Sequence, residues 1–524
     1  MTRSERCARV LLVNPPALKG RTNERGFSGG LGVSRRLKPF EHEVPALPPL
    51  DLLYLASVAE REGASVTILD LLLERLQGQD ALRHCEARIP HVEDTVWIGV
   101  RLSMPSLDQD LRFADALKAI SPSAHVFVFG AAIMATLDHW VGGTRVDYVL
   151  YGEPEGFFGA VLRAADPSTV PGVVVPGRFV PLTPERLFDQ AANAERAREW
   201  RTVPDLLTLP RPAWHLLDLP RYAPEGRVSD LRVFVQASRG CPIGCTMCPY
   251  TLTEGETWRS SAIGSVVDEL DYLNREFGIF RVRFRDANFG FSRRYARALA
   301  EAIIAREVRL QATIETSLEV FDEETLRLLH RAGIVTITTG VETNDPACMQ
   351  SIGQPFAVND RLRARVEWCR RTGFHIYGTF CLGMPEETWE TVESTWRFAD
   401  ELDIESGFTV LTPFPGTPMY WRALAEGLVP RRMQFGRWNS YSATARTYAL
   451  TTTDLDMARW WSRMETIVRY RRRRLPAGSV PSRLRFTLRH TPHYVWRQVC
   501  RTYVWWRRRV GPDQRPVPST GAIP

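Results

Sequence analysis

Three cysteines fall within eight residues near the middle of the chain, in the run Arg239-Gly240-Cys241-Pro242-Ile243-Gly244-Cys245-Thr246-Met247-Cys248-Pro249-Tyr250. The apolar segment 231–237 ahead of them reads as a strand, so the thiols sit on a loop that leaves a strand end. A structural zinc site takes four protein ligands, often as two CxxC-like pairs, and no second pair exists here. Three thiolates spaced CxxxCxxC can instead hold three irons of a four-iron, four-sulfur (4Fe–4S) cluster and leave the fourth iron open to a ligand. Cys241, Cys245 and Cys248 are therefore the candidate metal ligands.

Downstream of that loop the chain alternates strands and helices for about 180 residues. Strands are read at 280–285, 311–316, 334–342, 375–382 and 406–413, with helices at 262–277, 293–305, 323–332, 359–372 and 388–402. Gly278, Gly333 and Gly373 are placed to stop three of those helices. The pattern predicts a partial (β/α) barrel, whose chemistry belongs at the strand ends. Polar residues stand there: Asp286 and Asn288 after one strand, Gly340 and Glu342 closing another, Gly383 after a third.

Upstream, apolar strands near 9–13, 65–70, 95–100, 125–130 and 146–151 alternate with helices, which predicts a doubly wound parallel sheet. Ligands of such sheets sit at the carboxyl ends of the strands. Those ends are Asn14-Pro15-Pro16, Leu102-Ser103-Met104, Gly130-Ala131-Ala132 and Gly152-Glu153-Pro154-Glu155. No GxGxxG follows the first strand, which argues against a nicotinamide cofactor. Between the two regions, 166–230 is a proline-rich connector in which 172–180 could form a hairpin around Pro176-Gly177. Trp214 reads as a packing residue, and Cys348, Cys369 and Cys381 as buried small hydrophobes.

With 524 residues, 44% hydrophobic and 24% charged, the chain has the composition of a multidomain globular protein. No apolar run approaches the roughly 18 to 20 residues needed to span a bilayer. The polar start leads straight into a strand, so no secretory signal is read, and nine cysteines then indicate reduced thiols in a cytoplasm. The net charge of +7 is local in origin. Residues 469–509 hold thirteen arginines and no acid; the rest has 54 basic and 60 acidic residues, a net of −6. Trp and Tyr interleave with those arginines, which suits an anionic membrane surface or packing of the aromatics on the protein better than nucleic acid.

The cysteine loop resembles the signature of the radical S-adenosylmethionine (radical SAM) enzymes. Segments 285–288, 340–343, 383–388 and 412–418 resemble that family's later motifs in order, with Glu386 where glycine is usual. The N-terminal segments, from the Asn-Pro-Pro strand end to Gly-Glu-x-Glu, resemble the cobalamin-binding domain of the class B radical SAM methyltransferases. Asp51 and Ala131 depart from its usual glycines. The Asp-x-His-x-x-Gly motif that gives a histidine to cobalt is missing, and His139, on a different pattern, reads as a helix-surface residue.

The resemblance implies residues 1–165 as a Rossmann-like cobalamin-binding domain and 231–425 as the barrel; 426–510 reads as a small, mostly helical cap with a basic tail, and 511–524, rich in Pro and Gly, as a disordered end. It implies S-adenosylmethionine contacts at Asp286, Asn288, Glu342, Gly340 and Gly383. Cobalamin contacts are implied at Asn14, Pro15, Ser103, Met104, Gly130, Ala131, Gly152 and Glu153. The chemistry so implied is hydrogen abstraction by a 5′-deoxyadenosyl radical, then methyl transfer from methylcobalamin to an unactivated carbon of a secondary-metabolite or lipid-like small molecule. An external electron donor such as a flavodoxin or ferredoxin would reduce the cluster. Cyclisation or rearrangement with the same cofactors, and a non-catalytic cobalamin or iron–sulfur sensor, are the competing readings. No catalytic residue is assigned.

Overall fold

The computed structural model describes residues 8–429 and 435, save 22–23, 27–29, 35–45, 90–94, 201–203 and 355–359. The cap and tail expected beyond residue 435 lie outside the described residues.

The first unit runs β1 (Arg9–Asn14), α1 (Leu50–Arg61), β2 (Ser65–Asp70), α2 (Gly78–Glu86), β3 (Val96–Arg101), α3 (Leu107–Ile120), β4 (His125–Phe129), α4 (Ile133–Trp140), β5 (Tyr148–Leu150), α5 (Phe158–Arg163), β6 (Val173–Val174) and α6 (Gln190–Trp200). Its sheet has the order β2-β1-β3-β4-β5-β6, parallel except for β6. Helices cover both faces, so β3 is buried along its whole length, the reason its sequence is apolar without alternation. The order reverses between β1 and β3, which places the ligand crevice of such a sheet at their carboxyl ends.

The expected hairpin at 172–180 is not formed. Val173–Val174 instead pairs antiparallel with β5, and Pro176–Arg178 turns away as a short 3-10 segment. The buried edge of β5 offers Val173 and Val174 a core to enter, whereas Val180 is left exposed, so tertiary burial decides the pairing.

The second unit runs β7 (Arg232–Val235), β8 (Ser238–Arg239), α7 (Tyr250–Glu254), β9 (Arg259–Ser260), α8 (Ile263–Phe277), β10 (Arg281–Phe284), α9 (Arg293–Ala305), β11 (Gln311–Glu315), α10 (Glu323–Arg331), β12 (Ile334–Glu342), α11 (Pro346–Ser351), α12 (Asp360–Thr372), β13 (His375–Leu382), α13 (Trp389–Glu401), β14 (Glu405–Val410) and α14 (Pro418–Ala425). Its six-stranded sheet, β14-β13-β12-β11-β10-β7, is parallel throughout and open between β7 and β14 among the described residues. Ser292, Asp322, Thr388 and Thr417 cap helices with their side-chain oxygens, and Gly278 ends α8 in the left-handed conformation.

The units share their cores. Residues 52–59 of α1 are buried without a break, and the helix divides its faces between the two sheets. Leu52, Leu55 and Ala56 pack with the first sheet, while Leu50, Leu53 and Tyr54 join the core of the second. In return, Tyr420 and Ala423 of α14 pack into the first unit. Trp214 of the connector is fully buried and its indole N–H donates to Glu269 Oε1 on α8 at 3.0 Å. Leu53→Ala should therefore cost about 2–5 kcal/mol and speed amide exchange in β7 and β10 as well as in α1. Hydrogen-exchange mass spectrometry measures both.

Candidate active site

The cysteine loop starts where β7 ends. β8 and β9 form a two-residue antiparallel ladder that turns the chain into the loop. Gly240 follows with φ +80°, and a Cβ there would lie 2.1 Å from the Thr257 carbonyl oxygen, so only glycine fits. The Cys241 N–H donates to Gly255 O at 3.0 Å, and Cys248 N–H to Cys245 O at 3.1 Å. Thr246 in the middle of the loop is pinned on both sides, its N–H to Ile352 O (2.9 Å) and its carbonyl by Met419 N–H (3.0 Å). Met247 packs on a sulfur-rich cluster that includes Cys348, Met349, Cys381, Met384 and Met419.

Cys241, Cys245 and Cys248 line one cavity of about 1060 Å³ inside the open barrel. Among the described residues no three Cys, His, Asp or Glu side chains close around a single metal ion. Three thiols lining one cavity are placed where each could meet a different iron of a polynuclear cluster. Burial raises all three thiols, with Cys248 pushed up to about 12. Metal binding is what would deprotonate them. Asn288 bears on the same point: its Oδ1 accepts from Thr316 Oγ1 (3.0 Å) and Ser317 N–H (3.1 Å). Its Nδ2 is buried without a partner and lies close enough to Cys241 to favour the thiolate.

The barrel candidates separate into two groups. Asn288, Gly340 and Glu342 line the cavity with the cysteines. Glu342 sits at φ +59°, a strained conformation for a side chain of that size, at a register shift between β12 and β13. Its carboxyl is pushed up to about 7 by burial and, secondarily, by Glu315. Gly340 leaves room beneath it: a Cβ there would lie 2.6 Å from Glu342 Oε1 and the carboxylate would have to shift.

Asp286, expected at the adenosylmethionine amino group, instead faces the root of the cysteine loop. Its Oδ1 accepts from Ala237 N–H (2.9 Å) and its Oδ2 from Ser238 Oγ (2.5 Å), so both oxygens are taken. Gly383 likewise does not line the cavity; its N–H is held by Glu387 Oε2. Cys381, expected to be an inert core residue, is buried but also borders the cavity. Glu315, Tyr377, His375 and Glu405 line the wall as well and carry no motif that sequence reading would pick out. The period-2 alternation of β11, β13 and β14 was the available signal.

In the first unit, the β1/β3 crevice is filled by the chain itself. Arg25 is buried and donates to Asp110 (2.6 and 2.9 Å), Ser103 Oγ (3.0 Å) and Pro15 O (3.3 Å). Met104 N–H donates to Leu31 O at 2.8 Å. A Cβ on Gly30 or Gly32 would touch Ala131 or Ser103. A Cβ on Gly130 would lie 2.5 Å from the Leu102 carbonyl oxygen, and Glu153, just past Gly152, is taken up by arginines. Pro15, Ser103, Met104, Gly130, Ala131, Gly152 and Glu153 thus lie outside the neighbouring cleft of about 520 Å³, which only Asn14 of these candidates lines. That cleft runs from the β1 and β2 ends to Phe234 and Arg285 of the barrel and is edged by Lys19, Arg21, Arg75, Arg101 and Arg221. Asn14 Oδ1 is buried there without a partner. His139, expected on a surface, is half-buried against Phe188 and Phe435, and burial lowers it to about 4.

Residues 235–399 match the model of the radical SAM superfamily, a span containing the three cysteines, Asn288 and Glu342. An uncharacterised methyltransferase of Pyrococcus horikoshii is 27% identical over 384 residues, covering 73% of this chain and 80% of the relative. Cytidylyl-2-hydroxyethylphosphonate methyltransferase of Streptomyces wedmorensis is 26% identical over 462 residues, 79% of this chain and 85% of the relative. OxsB, a cobalamin-dependent S-adenosylmethionine radical enzyme solved with aqua-cobalamin and S-adenosylmethionine bound, superposes with a TM-score of 0.64 at 13% identity, covering 87% of this chain and 67% of that one, a likeness of fold. The open parallel barrel with its three-cysteine loop is a radical SAM domain. Beyond that span the chain is similar, at 26–27% identity over 73–79% of its length, to proteins named as methyltransferases.

Two tests follow from this geometry. Gly240→Ala meets a backbone oxygen and should lower iron uptake on anaerobic reconstitution by about tenfold or more, strain of about 1–3 kcal/mol falling on the loop itself. Glu387 is buried with Oε1 unpartnered, and burial lifts its acid from 4.5 to about 8. A folded-state acid raised in this way contributes stability that is complete below pH 4.5 and is lost as pH rises through 8. Glu387→Gln should flatten that fall in thermal unfolding measured between pH 5 and about 8.5.

Proposed function

We propose that the chain transfers a methyl group to an unactivated carbon of a secondary-metabolite or lipid-like small molecule bound in the barrel cavity. The observation that carries this reading is that Cys241, Cys245, Cys248, Asn288 and Glu342 line one cavity of about 1060 Å³. Bound together, the cluster, S-adenosylmethionine and cobalamin supply a carbon-centred radical and a transferable methyl group.

The chain's own residues bind and orient. The three cysteines would hold the cluster, and Asn288 would offer its free Nδ2 beside it. Glu342, raised while alone in its buried position, would accept the ammonium of S-adenosylmethionine, which favours its ionised form. Asp286 fixes the strand that delivers the loop. Asn14, with its free Oδ1, and the arginines of the cleft between the units fit the amide- and phosphate-bearing periphery of cobalamin. Residues 1–165 and 231–425 are the cobalamin and radical domains of this reading, the first with its edge strand from 173–174.

For the substrate, Thr313, Thr338, Tyr377 and the pairs Arg283–Glu315 (3.4 Å) and His375–Glu405 (2.9 Å) line the cavity. These hydroxyls and charges stand beside Met349, Leu362, Phe408 and Phe414, so the wall suits an acceptor that carries both polar groups and an apolar body. The Streptomyces relative, whose name specifies a cytidylyl phosphonate substrate, is in keeping with the polar groups. A flavodoxin or ferredoxin as electron donor, a cytoplasmic setting and membrane contact by the tail remain part of the proposal. No helix among the described residues is long and apolar enough to cross a membrane.

The test is anaerobic turnover with methyl-labelled S-adenosylmethionine and extracts of cells lacking the gene. The expected result is 5′-deoxyadenosine together with a labelled carbon-methylated product. An unlabelled, cyclised product would favour the rearrangement reading, and absence of 5′-deoxyadenosine the sensor. Cys245→Ala should lose the iron–sulfur absorbance and all 5′-deoxyadenosine formation while still retaining cobalamin on gel filtration.

A further inference from the structure

We propose that Glu153 is a positioning residue for the cysteine loop, the acidic turn after β5 holding the two units in register through a pair of arginines. The pair is Arg239 and Arg259, which face one another across the β8–β9 ladder. Both reach the same carboxylate: Arg239 Nη1 lies 2.5 Å from Glu153 Oε2, and Arg259 Nη2 lies 2.7 Å from Glu153 Oε1. Glu155 pairs with Arg239 as well, and the Tyr54 ring of α1 lies beneath the same guanidinium, 5.5 Å from its centre. Arg239 and Glu153 are about 95% buried, so the pair works in a low dielectric and is little screened.

The linkage to the thiols is short. Gln236 Oε1 accepts from Arg239 Nε and its amide donates to Glu254 Oε1. Glu254 Oε2 in turn accepts the Gly240 N–H at 3.3 Å, and Arg285 pairs with Glu254 at 3.4 Å. Cys241 is two residues from Arg239, separated by a glycine that has no room to shift. Three acids and three arginines balance in charge, so the cluster gains nothing from net charge. What a carboxylate gripped by two forked guanidiniums supplies is direction. Apolar side chains could join two units with equal or greater stability, and a buried ion network is best used to fix one register among several. A displacement of about 1 Å at a reacting centre can cost about a hundredfold in rate, so register is worth fixing here.

The experiment uses the full chain in two arms. Without cofactors, Glu153→Gln should raise amide exchange across residues 236–248 by about tenfold, leaving β1 and β4 unchanged. After anaerobic reconstitution, the same variant should still take up iron, but the electron paramagnetic resonance signal of its reduced cluster should respond differently to S-adenosylmethionine, and cleavage of that cofactor should slow by about tenfold or more. Arg259→Gln should do the same, and the double variant should be no worse than either single one. Where Glu153→Gln does not fold, Arg259→Lys, which keeps the charge and removes the fork, should raise exchange over 236–248 by about threefold. Unchanged exchange in that segment, an unchanged spectroscopic response, or strictly additive effects of the two substitutions each overturn the proposal. The exchange arm needs no cluster, so it is read separately from the assignment of the three cysteines as cluster ligands, which fails if the parent chain takes up no iron.

Discussion

One helix belongs to two cores. α1 gives Leu52, Leu55 and Ala56 to the first sheet and Leu50, Leu53 and Tyr54 to the barrel. A helix buried on every side cannot serve as a hinge, because any rotation exposes apolar surface worth roughly 1.5–3 kcal/mol per side chain. The return of α14 into the first unit, through Tyr420 and Ala423, closes the arrangement from the other end of the chain. The distance between the two cofactor regions is thus set by packing, and the short-range polar contacts only have to refine it.

That refinement takes place around the cysteine loop. Its backbone is held by Gly255, Ile352 and Met419, residues from three separate parts of the barrel. Asp286 anchors its root from β10, and Glu153 reaches it from the first sheet. A loop with three thiols and little regular structure would otherwise be among the least ordered parts of the molecule. Of the six non-glycine residues with positive φ among the described residues, two lie near the site: Glu342 in the cavity and Glu386, whose φ of +65° stands where the family pattern has glycine. Glu386 is not in the cavity wall, so its conformation belongs to the turn that carries Glu387.

Much of this could be read from the residues in order. The cysteine spacing, the strand–helix rhythm and the punctuation by glycine and capping side chains are local signals, and most of the elements read from them fall within a residue or two, β14 ending three residues earlier than read and the short β8, β9, α7 and α11 going unread. Asn288, Gly340 and Glu342 were legible because they end strands, and the topology sends strand ends to the site. Asp286 ends a strand too, yet its carboxylate is consumed by Ala237 and Ser238, 49 and 48 residues away. Ser103 is consumed by Arg25 across 78 residues, and Glu153 by Arg239 across 86. Such pairings have no period or spacing, so a motif can show that a polar residue reaches a strand end without showing which partner claims it. The edge strand at 173–174 was missed for the same reason, since its partner β5 is defined only once the sheet exists.

The two units therefore treat their strand ends in opposite ways. In the first, the crevice at β1 and β3 is occupied by Arg25 on Asp110, a buried ion pair whose Nη groups also reach Ser103 and Pro15, and the open space lies toward the barrel. In the second, the strand interiors stay polar and unfilled, and threonines, Arg283, Glu315, His375 and Glu405 face the cavity. A closed barrel of this kind would fill its centre with branched apolar side chains. An open one lined by hydroxyls and charges gives up that packing, a sacrifice compensated by the shared cores of α1 and α14. Stability is drawn from where the units meet, which leaves the interior of the barrel free to be shaped by what it binds.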